Sequence, residues 1–163
     1  MTTSIKQLFL EYLFQLKVII EKVPEELFLE TLSEGMFSLE MNAQIAANFL
    51  LRGYCPLLSR DVVSVARSDK GKGAILQAIS DVQTLLEDFP EIEALDDSVT
   101  LSDKAGFTKL SLPQSSFVFK YIVPNYMFHM GMVYAIARKN GVPLSKGDFD
   151  GLHSYPIGFS FVQ

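Results

Sequence analysis

The sequence predicts an all-α fold, an up-and-down four-helix bundle with a short β-hairpin between its third and fourth helices. Two observations carry this. Four stretches repeat apolar residues in steps of three and four, the period of one helical face. Only one place, near residues 99 to 110, alternates β-prone residues around a turn. With 163 residues, 48% apolar and 20% charged, the chain reads as one globular domain over residues 1–163, with 142–163 as a packed C-terminal tail. A chain of this size buries roughly 70% of the surface its unfolded form exposes.

The first helix is expected over Ser4 to Val23, where Ile5, Leu8, Phe9, Tyr12, Leu13, Leu16, Ile19 and Ile20 share a face and Pro24 ends the run. Leu10, Phe14 and Val18 form a second apolar stripe, read either as a partner surface or as burial on two sides within the bundle. Glu25 to Leu32 holds a turn or two, and Ser33-Glu34-Gly35 breaks the pattern. Ser38 is placed as the N-cap of the second helix, marked by Met41, Ile45, Ala46, Phe49 and Leu50. That helix is expected to end near Arg52-Gly53, with a continuation from Cys55-Pro56 towards Ser59. Arg60 to Gly73 reads as a connection. The third helix begins near Lys72, carries Ile75, Ile79, Val82, Leu86 and Phe89, and stops at Pro90.

Val99-Thr100-Leu101 and Phe107 to Leu110 flank Asp103-Lys104-Ala105-Gly106, read as a four-residue hairpin bridge lying against the helix ends. Ser115 or Ser116 caps the fourth helix, which runs to about Asn140 with Gly141 as its left-handed stop. Pro124 inside it removes a backbone hydrogen bond and predicts a kink or break. The tail from Val142 carries Phe149, Leu152, Tyr155, Ile157, Phe159, Phe161 and Val162. It is expected to pack across the bundle or onto a neighbouring subunit.

Composition excludes several functions. A net charge of −5 with scattered basic residues argues against nucleic-acid binding, which needs a clustered basic surface. Charged residues interrupt the apolar N-terminus, so neither a signal peptide nor a membrane span is read there. A lone Cys55 makes no intrachain disulfide, and a cytoplasmic address is the default. Cys55 reads as a buried structural thiol, since no histidine is near it in sequence. Lys146 to Gly151 has close-set oxygens but too few for a calcium loop, so Asp148 reads as a cap.

One stretch carries chemistry: Pro124-Asn125-Tyr126-Met127-Phe128-His129, followed by Tyr134, Ile136, Arg138, Gly141-Val142, Leu144, Lys146, Asp148-Phe149 and Gly151. Together with Met36-Phe37, Leu39, Gln44, Ile45 and Phe49, it resembles an uncharacterised domain family of bacteria and fungi. That family is similar in turn to the DinB/YfiT-like metalloenzymes, four-helix bundles in which three histidines bind a divalent metal. Two of those histidines stand four apart on the last helix, the later one two before a glycine and nine before an arginine. His129, Gly131 and Arg138 match that spacing, but Asn125 occupies the earlier position, and helix two offers Gln44 and Asn48 without a histidine. Carboxamide oxygens are weak, uncharged donors, so the resemblance implies a degenerate site: no metal is expected, and His129 would be the ligand for Zn or Ni if one bound.

His129 has two readings, a hydrogen-bonded core residue or the floor of a polar pocket with Asn125, Gln44, Asn48 and Tyr126. The leading functional expectation is a small-molecule-binding or structural homodimer with a degenerate metal site. The second is a metal-dependent enzyme of the DinB/YfiT-like type, a thiol-cofactor transferase using His129. The third is a protein-interaction module built on the Leu10, Phe14, Val18 stripe.

Overall fold

The computed structural model of the chain describes residues 2–162, and the protein is mostly helical with one small antiparallel sheet. Helix α1 spans Ile5–Lys22, entered through Ser4, whose Oγ accepts from the Gln7 amide at 3.0 Å. Its inward face is Phe9, Leu13, Leu16, Ile19 and Ile20, as the periodicity requires. Helix α2 spans Leu39–Leu57 and is capped by Ser38, whose Oγ accepts from the Met41 amide. It runs without a break through Gly53 and Pro56, beyond the stop expected at Arg52-Gly53. The reason lies in packing. Gly53 is buried because α2 meets the last helix there so closely that a Cβ would stand 2.6 Å from Ile122 Cγ2.

Helix α3 spans Lys72–Asp88 and buries Ala74, Ile75, Ala78, Ile79, Val82 and Leu86. Its N-terminus is capped from afar. The Glu25 carboxylate accepts from the Lys72 amide at 3.0 and 3.2 Å, and Glu40 Oε2 accepts from the Gly71 amide at 3.0 Å. Gly71 adopts φ +92°, a left-handed conformation that brings its backbone against Glu25.

Strands β1 (Thr100–Ala105) and β2 (Thr108–Pro113) pair antiparallel with Thr100 opposite Pro113 and Ala105 opposite Thr108. The expected four-residue bridge at Asp103 to Gly106 is therefore corrected to a two-residue loop, Gly106-Phe107. Gly106 at φ +58° makes the tighter turn, which lets Asp103 and Lys104 extend the ladder.

Helix α4 (Gln114–Ser116) follows Pro113 directly and passes into a π-helical segment, Phe117–Ile122, and then α5, Val123–Lys139. The cap expected from Ser115 or Ser116 is instead Asp97, whose carboxylate accepts from the Ser115 amide and hydroxyl, both at 2.8 Å. Proline changes the helical register rather than stopping it. Pro124 sits in the first turn of α5, the Val123 amide reaches back to the Val118 carbonyl, and the Asn125 amide side chain donates to the Tyr121 carbonyl.

In this arrangement α2 lies against α5 and α3, and α1 packs chiefly on α3 and on the short helix α6, Lys146–Asp150. The tail divides. Val142 and Leu144 are buried and Phe149 meets the rings of Tyr12 and Tyr134, but Leu152, Ile157, Phe159, Phe161 and Val162 stay exposed on their own chain. Only the first half of the expected packed tail is packed within the chain. None of the helices among the described residues is long and apolar enough to cross a membrane.

The Gly53 contact gives a stability prediction. Gly53→Val must displace Ile122 or part the two helices, and overpacking of this kind costs about 1–3 kcal/mol. The variant should melt several degrees lower, by about 2–12 °C in a thermal scan, with helical content kept.

Candidate functional site

The closest polar contact between α2 and α5 is one buried pair. His129 Nδ1 lies 2.8 Å from Asn42 Oδ1. The amide nitrogen of Asn42 is already committed, donating to the carbonyls of Phe37 at 3.1 Å and Ser38 at 3.0 Å in the entry to α2. Asn42 Oδ1 can only accept, so Nδ1 of His129 carries the proton and donates. In the neutral ring Nε2 is then an open lone pair.

Burial, and after it the positive charge of Arg52, pushes the His129 pKa below its ordinary value of 6.5, so the ring is neutral at pH 7. Three aromatic rings hold it. Phe49 stacks at 5.8 Å between centroids, Phe128 meets it edge-on at 5.1 Å, and Phe37 lies at 6.5 Å. A cleft of about 230 Å³ opens over the ring, walled by Met36, Phe37, Phe128 and Met132. Nε2 has no protein partner, and among the described residues the one enclosed side-chain polar atom lacking a partner is Arg67 Nε. His129 Nε2 therefore reaches the cleft. What the arrangement offers is a single neutral acceptor in apolar surroundings.

The other residues singled out in the sequence lie elsewhere. Asn48 clamps the connection after α2, donating to the Val65 carbonyl at 2.9 Å and accepting from the Val65 amide at 2.7 Å. Gln44 supplies its backbone carbonyl to Asn48. Asn125 is bonded within its own helix, and Tyr126 faces α1, donating to the Tyr12 carbonyl at 2.6 Å; burial pushes its phenol well above 10. Arg138 donates to the Val142 carbonyl and so finishes α5. His153 pairs with Asp150, away from the cleft's lining.

The residue that does reach His129 is Asn42, which shares a helical face with Ala46, Phe49 and Gly53. A polar side chain at a position of that buried stripe was the available signal. Beside it, Arg52 covers Phe49 at 4.3 Å and latches the hairpin to the helices. Its guanidinium donates to Asp103 Oδ2 at 2.7 and 3.1 Å, to the Lys104 carbonyl and to Tyr121 Oη, which in turn donates to Asp103.

These donors do not make a divalent-metal site. A Zn or Ni ion on Nε2 needs further imidazole, thiolate or carboxylate ligands, and the cleft wall supplies thioethers and phenyl rings. Among the described residues no group of three His, Cys, Asp or Glu side chains is placed to hold a metal.

The sequence profile of a family described as "Domain of unknown function (DUF1993)" matches residues 9–150. A solved structure described as a DinB family member protein from Shewanella denitrificans superposes on 94% of this chain and 93% of its own, with a TM-score of 0.74 and 24% identity. At that identity the likeness speaks for the fold alone. No curated protein matches the chain.

The tautomer and the lowered pKa are measurable together. Nitrogen-resolved NMR should find His129 protonated on Nδ1 at pH 7 and titrating below 6.5. Because the unfolded chain binds this proton more readily, stability should fall as pH drops from about 6.5 towards the folded-state value, and His129→Gln should remove that component. Asn42→Ala, which strands the buried Nδ1–H, should cost about 1–3 kcal/mol of stability.

Proposed function

Since the chain belongs to the DUF1993 family and has a DinB-like fold, we propose that it is a small-molecule-binding protein whose ligand occupies the cleft over His129. One observation carries the reading. Asn42 fixes the imidazole with Nε2 unpaired, and the walls around it are phenylalanine and methionine without a charged side chain. Such a site favours an uncharged, largely apolar molecule with one N–H or O–H group to donate to Nε2; a carboxylate or phosphate would lose its hydration there without gaining a cation.

In the same reading the long helices form an up-and-down four-helix bundle in a single cytoplasmic domain, and the chain works as a homodimer. The imidazole is what remains of the metal-binding constellation of related bundles, with the role of acceptor rather than metal ligand.

The test uses phenol as a neutral donor, benzoate as an anion of similar shape, and added Zn, Ni or Mn. Phenol should shift the His129 Nε2 resonance and raise the melting temperature, and His129→Gln should abolish both effects. Benzoate should do neither. Failure of phenol to move the resonance at any concentration would remove the proposal. A stoichiometric metal in the purified untagged protein, found by elemental analysis, would replace it with the metal-dependent enzyme.

A further inference from the structure

A wider groove than the cleft over His129 lies elsewhere on the protein, and His129 takes no part in it. It runs along α1, holds about 800 Å³, and is walled by Leu8, Leu10, Phe14, Phe119 and Leu152, with Glu11 among its polar lining residues. Phe14 is 58% exposed in it. Beside it the chain leaves α6 at a fixed point. The ion pair between Lys22 and Asp148 and the contact of Phe149 with Tyr12 hold α6 on α1, and Gly151 and Leu152 emerge at the groove's edge.

Beyond that point the tail does not turn back into the groove. A tight turn, with the Phe159 amide donating to the Pro156 carbonyl and Gly158 at φ +80°, gathers Tyr155, Phe159 and Phe161 onto one another at centroid distances of 4.9 to 5.5 Å. Their outer faces are left in water, Phe161 at 71% exposure and Ile157 fully.

Groove and tail together leave Phe14, Phe119, Leu152, Ile157, Phe159, Phe161 and Val162 each more than half exposed, and a cluster of large apolar side chains beside a groove marks an interaction surface rather than the scattered apolar exposure of an ordinary monomer. The two surfaces are neighbours on one chain and are complementary. The groove is concave and has the carboxylates Glu11 and Asp150 in its lining, while the tail cluster projects beside Lys146 of α6, whose ammonium stands 6.0 Å from the centre of the Phe161 ring.

We propose that the occupant of the α1 groove is the tail of a second copy of this chain, so that residues 155–162 are exchanged about a twofold axis. This rests on the homodimer reading and gives it a surface. A twofold pairing places each tail on the partner's groove and each groove under the partner's tail, so both apolar surfaces are covered by one contact.

The experiment is sedimentation of the full chain as wild type, Phe14→Glu and Phe161→Glu, with circular dichroism to check folding; both positions are exposed, so both variants should fold. Wild type should sediment as a dimer, and each substitution should raise the dimer dissociation constant at least tenfold. Mixing Phe14→Cys chains with Phe161→Cys chains under oxidising conditions should yield a covalent dimer of one chain of each kind, the buried Cys55 being silent. A monomeric wild type would overturn both the homodimer reading and this contact. A dimer untouched by either glutamate would leave the homodimer reading standing and overturn the exchanged tail.

Discussion

The close approach of α2 to the π segment and α5 is the constraint on which the rest of the molecule turns. It is made by small residues. Ala46 and Gly53, on the helical face that also carries Asn42, leave that side of α2 thin, and at Gly53 the neighbouring Ile122 fills the space a side chain would take. With the backbones drawn together, polar groups at either end of the contact are brought within hydrogen-bonding distance. At one end Asn42 meets His129; at the other Arg52 reaches Tyr121 and carries Asp103 of the hairpin with it. Both polar clusters depend on the same apolar contact, and Phe49 lies between them, stacked on the imidazole and covered by the guanidinium.

Because Asn42 spends its amide protons on the entry to α2, it leaves His129 one role for Nδ1 and frees Nε2. Burial then keeps the ring neutral. An amide in this position tunes the histidine without competing for a ligand, whereas a carboxylate would raise the imidazole pKa and bring a second charge into the cleft. The π segment contributes indirectly. By changing register before Pro124 it sets the rotation of α5, which directs Tyr126 at α1 and His129, three residues on, at α2.

Helix ends are settled over long sequence distances. Glu25 and Glu40 cap α3, and Asp97 caps the start of the last helix, so carboxylates in the connections tie separate elements together. Lys72 closes the same corner by donating to the carbonyls of Glu21 and Val23 at the end of α1. These contacts hold connections that have few buried residues of their own.

What the sequence by itself determined was whatever local periodicity and capping control: the inner face of α1, the Ser38 start of α2, the start of α3 at Lys72, the existence of a hairpin near residues 99 to 110 though not its register, and an irregularity beside Pro124. His129 was legible as the centre of interest because a lone polar residue on an apolar face stands out. Its neighbours were not. Gln44 and Asn48 are one turn apart and looked paired with it, yet the rotation of α2 about its axis turns Asn48 towards Val65 and brings Asn42 to the imidazole. That rotation follows from which stripe packs closest, and Gly53 against Ile122 decides it across nearly seventy residues of chain. The length of α2 through Gly53 and Pro56 belongs to the same contact, since packing there outweighs the local signals to stop. The tail shows the reverse case: its sequence is apolar enough to demand burial, but only its first half finds that burial within one chain, because α6 is fixed on α1 and the residues after it close on themselves.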